Sequence, residues 1–117
     1  MLKNKREYMF TLNSTTYTKI VEAESRCVVY LNHMYAQAMG VYYFGINTAV
    51  SHFTFTYENN ASGIVLNIGG YDTAYPHNVR YVDRYAASVE LEAGECLYAK
   101  TSANDKTLKV IIFDKEV

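Results

Sequence analysis

Glu90, Glu92 and Glu95 crowd one short stretch, SVELEAGECLY, and a carboxylate pair is the minimum equipment of acid–base hydrolysis. A glycosidase needs two carboxyls across a cleft, one of them desolvated enough to hold its proton. Here Glu90 and Glu92 alternate with Val89 and Leu91, so both are expected on the water-facing side of one strand. Asp72, Asp83 and Asp105 offer oxygen ligands, but their spacing is not that of an EF-hand loop, and turn-forming aspartate accounts for them. His33, His52 and His77 are scattered singly, and neither Cys27 nor Cys96 has a second ligand at metal-binding spacing. There is no Gly-x-Ser-x-Gly elbow, and the glycines of NIGGYD do not make a phosphate-binding loop. No catalytic residue, metal ligand or cofactor is therefore assigned, and neither bound metal nor hydrolase activity is expected. Cys27 and Cys96 lie in apolar runs and read as buried free thiols, a disulfide requiring an oxidising compartment.

Binding is the stronger expectation. Tyr71, Tyr75, Tyr81 and Tyr85 fall within one stretch, YDTAYPHNVRYVDRY, that also holds Arg80, Arg84 and the single proline. Tyrosine and arginine bury large area while keeping a polar handle, and interfaces favour both. A connection of that length is the kind that carries function. Tyr71, Tyr75, Arg80 and Arg84 are thus candidate interface residues. Tyr81 and Tyr85 have a competing reading, in which they complete an extra strand and pack in the core. Adjacent Tyr42 and Tyr43 must face opposite ways, and Tyr42 is taken as a further interface residue.

The elements that would position these residues are strands. Short β-branched or aromatic runs closed by polar turns recur along the chain, in the spacing of an all-β sandwich or barrel. Phe53, Phe55 and Tyr57 share one face; so do Val89 with Leu91, and Leu108 with Val110 and Ile112. Ala93-Gly94 marks a tight turn, and the final third reads as a three-strand antiparallel meander. VVYLNHMYAQAMG dissents, with near-helical spacing of Leu31, Met34, Tyr35, Ala38 and Met39 ahead of Gly40. Glycine and proline are scarce, so residues 1–117 are expected to form a single domain: an antiparallel β-sandwich of about eight strands, jelly-roll-like or Ig-like.

Charge and length narrow the partners. The 117 residues suffice for one hydrophobic core, and a net charge of −1 leaves no electrostatic footprint for nucleic acid. No apolar run reaches the ~20 residues of a membrane helix, and the basic start MLKNKRE lacks the apolar stretch of a signal peptide. A soluble chain made in a reducing compartment is expected, with no membrane partner. Its 50% hydrophobic content and many tyrosines point to subunit burial, hence a homo-oligomer.

LEAGECLYAKTSANDKTLKVIIFD resembles a pattern of small β-sandwich virion structural proteins of tailed bacteriophages, through Leu91, Gly94, Glu95, Leu97, Tyr98, Ala99, Thr101, Ser102, Leu108 and Val110. The upstream TKIVEAESRCVVYLNH resembles their opening strand pair, with Asn32 closing the second strand. The tyrosine-rich insertion and the two cysteines depart from that pattern. The resemblance implies a non-enzymatic capsid-, neck- or tail-associated protein, made in the host cytoplasm and residing in the virion among other virion proteins. The alternative is a carbohydrate-binding module in which Tyr71, Tyr75 or Tyr42 stacks on a surface glycan. A cupin-like enzyme, suggested by LEAGE, is opposed by the lack of a histidine cluster.

Overall fold

The computed structural model of the chain describes residues 2–33, 40–60, 63–69, 78–83, 86–104 and 106–115. In these it is all-β, with ten strands rather than about eight: β1 (Leu2–Leu12), β2 (Thr18–Glu22), β3 (Cys27–His33), β4 (Gly40–Ile46), β5 (Phe53–Asn60), β6 (Gly63–Gly69), β7 (Val79–Asp83), β8 (Ala86–Leu91), β9 (Cys96–Thr101) and β10 (Lys106–Lys115). They form two five-stranded antiparallel sheets, sheet A in the order β1-β10-β3-β8-β7 and sheet B in the order β2-β9-β4-β5-β6. The helical spacing noted around Met34–Met39 lies outside the described residues.

The strand pairing is that of a long hairpin rolled over on itself. β1 pairs with β10, β2 with β9 and β3 with β8, each antiparallel. Backbone bonds continue the pairing around the corners, from the Ala23 amide to the Glu95 carbonyl at 2.9 Å and from Thr101 to Asn13 at 3.1 Å. The roll then brings β10 beside β3 and β9 beside β4, which is the jelly-roll solution to the edge-strand problem. It also corrects the expected meander. Gly94, at φ 89°, does turn the chain between β8 and β9, but these two strands belong to different sheets. Their apolar faces meet across the core instead of lying side by side.

That core follows from period-two alternation. Phe53, Phe55, Tyr57, Val89, Leu91, Leu108, Val110 and Ile112 are all buried on the inner faces, as their spacing indicates. Aromatic rings fill one end of it, Phe44 lying 5.1 Å from Phe53 and 4.7 Å from Phe55 between centroids. Tyr42 is among them, only 2% exposed, with its ring edge-on to Tyr57 at 5.6 Å. Its expected place on an interface is therefore corrected. β4 turns Tyr42 inward and Tyr43 outward, where Tyr43 and Tyr17 flank the ammonium of Lys100 at 5.4 and 5.2 Å.

Candidate functional site

Sheet A breaks the rule that gives a sandwich strand one apolar and one polar side. In β3 the run Cys27-Val28-Val29-Tyr30-Leu31 is apolar at every position, and in β10 so is Val110-Ile111-Ile112-Phe113. Cys27, Val29 and Leu31 supply the core, as do Val110 and Ile112. Val28, Tyr30, Ile111 and Phe113 must then face outward. Unbroken apolar strands are the mark of a sheet covered on both sides.

Register places these outward residues together. Ile111 pairs with Tyr30, Tyr30 with Ser88 and Ser88 with Arg80, which makes one row across the sheet. Phe113 pairs with Val28 in the next row, and its ring meets Tyr30 edge-on at 5.8 Å and 90°. Such an aromatic pair is worth ~0.5–1.5 kcal/mol beyond the area it buries. Met9 on β1 and Val82 on β7 extend the patch to both edges, 55% and 49% exposed. Val28, Ala86 and Ser88, on the same side of β3 and β8, are already buried.

Two lysine–glutamate pairs border these side chains, and Glu7 is the β1 neighbour of Ile111. Lys109 bonds Glu7 at 2.6 Å, and Lys115 bonds Glu90 at 2.6 Å. Glu90 also accepts a bond from the Asn78 side chain at 3.1 Å, so it is not the free, water-facing carboxylate its alternation suggested. The lysine and asparagine bonds hold Glu90 below the usual carboxylate value, and Lys109 does the same for Glu7. Neither residue has the raised pKa of a general acid. Glu92, past the end of β8, is exposed and pairs with Arg26 at 3.4 Å.

Of the residues singled out for an interface, Arg80 is exposed at the β7 end of the Ile111–Tyr30–Ser88 row. Tyr42 is in the core, and Tyr71, Tyr75 and Arg84 lie outside the described residues. Tyr81 takes the extra-strand reading without its burial: it is on β7, 59% exposed. Sequence reasoning missed Tyr30, Ile111, Phe113 and Met9. The signal that could have found them is the failure of alternation in RCVVYL and KVIIFD. Among the described residues no three His, Cys, Asp or Glu side chains converge as metal ligands. Comparison with protein-family models, with curated proteins and with solved structures gave no match.

Proposed function

We propose that this chain is a non-enzymatic structural protein of a tailed-bacteriophage virion, acting by assembly, with the outer face of sheet A as its contact to further copies of itself. The observation that carries the reading is that sheet A is apolar on both faces while only one faces the core. A second copy suits this outer face, where Tyr30, Ile111 and Phe113 are half-buried, because Glu7 and Glu90 on it are already paired with lysines of the chain. Two such faces can approach with these charges paired, provided that Arg80 stays at the solvated margin, and an unpaired buried charge is the costly element in an interface. Tyr30 and Phe113 are the large aromatic anchors that interface centres favour, and Arg80 stands at the margin. The virion role rests on the resemblance of the last quarter of the chain, LEAGECLYAKTSANDKTLKVIIFD. Other virion proteins are the partners beyond the homo-oligomer, and the near-neutral charge supports no role on nucleic acid. The virion assignment is tested by mass spectrometry of gradient-purified particles of the encoding phage. Peptides of this chain at constant stoichiometry are expected, and their absence from infectious particles would reject the role.

A further inference from the structure

The two flanks of the sandwich are finished differently. On one, Tyr81 reaches from the inner side of β7 across the gap between the sheets to the edge of β6. Its hydroxyl donates to the Leu66 carbonyl at 2.7 Å and accepts from the Ile68 amide at 3.4 Å. On the other, the edge strand β1 also turns a tyrosine inward, but Tyr8 remains 45% exposed, and a groove of about 350 Å³ opens between β1 and the β2–β3 corner. Its volume is at the lower end of the ~300–1,000 Å³ typical of small-ligand sites.

The groove has an apolar floor and an ordered polar end. Ile20, Cys27 and Ile112 form the floor, and the rings of Tyr8 and Phe10 make one wall, 6.3 Å apart and tilted by 45°. At the polar end Arg6 donates to Asp114 at 3.0 Å and to the Asn4 carbonyl at 2.7 Å. Asp114 also accepts from the Asn4 amide group at 2.9 Å and from the Ser25 hydroxyl at 3.2 Å. These bonds fix a guanidinium and a carboxylate side by side. An incoming anion would face Asp114, Glu22 and Glu24, and an incoming cation would face Arg6. A neutral ligand with one apolar face and several hydroxyls meets neither penalty. It finds donors and acceptors already oriented, with little rotamer freedom left to lose.

We infer that this groove binds a neutral sugar residue of a glycan, its apolar face on Tyr8 and its hydroxyls toward Arg6, Asp114 and Ser25. The inference is independent of the assembly reading. Tyr8 and Arg6 are on the inner side of β1, whereas Glu7 and Met9 are on the outer side.

The test is a nitrogen-15 NMR titration of the full chain with the methyl glycosides of glucose, galactose, mannose and N-acetylglucosamine. At least one should shift the amides of β1 and of the β2–β3 corner saturably in the millimolar range. Tyr8→Ala should weaken that binding by roughly tenfold or more while leaving the thermal melt in place, because the ring is exposed. Met9→Ala, on the opposite side of β1, should bind as the parent does. The inference is overturned if no glycoside shifts these amides, if Tyr8→Ala binds unchanged, or if sulfate or tetramethylammonium shifts them more strongly than any sugar. Sedimentation of the same samples keeps the two readings apart, since loss of sugar binding with an intact oligomer rejects only this one.

Discussion

His52 is buried beside the turn from β4 to β5, where its Nδ1 accepts a bond from the Ile46 amide at 2.8 Å. The turn folds back so closely that a Cβ on Gly45 would stand 2.3 Å from the carbonyl oxygens of Thr48 and Val50. His52→Leu keeps the volume and removes the acceptor, leaving a buried amide unsatisfied. A loss of ~1–3 kcal/mol is expected by urea denaturation, and Gly45→Ala should cost a similar amount by forcing backbone apart. Cys27 is the second residue with a measurable consequence. Burial pushes its thiol up to about 11 from the ordinary value of 9.0. Because the folded value is the higher one, its contribution to stability is complete below pH about 9.0 and is lost as pH rises toward about 11. Near pH 8 a disulfide reagent should label the half-buried Cys96 first and Cys27 only as the chain unfolds. Equal labelling rates would show that the core near Cys27 is open.

At the scale of the element, Tyr81 does for β6 what a neighbouring strand would do: one hydroxyl serves a carbonyl and an amide two residues apart. A free sheet edge invites pairing with another chain. Tyr81→Phe should therefore speed hydrogen exchange at the Ile68 amide, cost ~1 kcal/mol, and raise aggregation on heating. Unchanged exchange at Ile68 would show that the hydroxyl does not protect the edge. Most strands and the inner face of the core were legible in the sequence, because residues such as Phe53, Phe55 and Tyr57 obey a strict period of two. Sheet membership was not. Alternation around Gly94 announces a turn but is the same whether the next strand pairs alongside or crosses to the opposite sheet. The proposed contact face was hidden for a related reason. Tyrosine density drew attention to the loop, while Tyr30 and Phe113 sat in runs that look like core and are core on one side only. Nor does any local signal say which of Tyr42 and Tyr43 turns inward, since that depends on the register of β4 against β5 and β9.

For the whole molecule, the proposed assembly through the outer face carries a pH dependence. Glu7 and Glu90 are both held below their ordinary value of 4.5 by Lys109 and Lys115 respectively. A depressed folded value means that the pairing contributes fully above pH about 4.5 and is lost as pH falls through the lower folded values. Protonation leaves two uncompensated lysines on each face. Assembly should accordingly weaken below that pH and more steeply in low salt, which light scattering across an acid titration would record. Contact between copies through the outer face of sheet A can be probed directly at Ile111. Ile111 stands between Glu7 and Tyr30 on this face and its side chain is outside the core, so Ile111→Lys should leave the fold intact while placing a charge where the copies would meet. The deciding measurement is sedimentation velocity of the parent and Ile111→Lys proteins at matched micromolar concentration, alongside their thermal melts. A discrete oligomer is expected for the parent, and a folded monomer with a near-parental melt for the variant. A monomeric parent, or an oligomer that Ile111→Lys does not disturb, would contradict contact through this face.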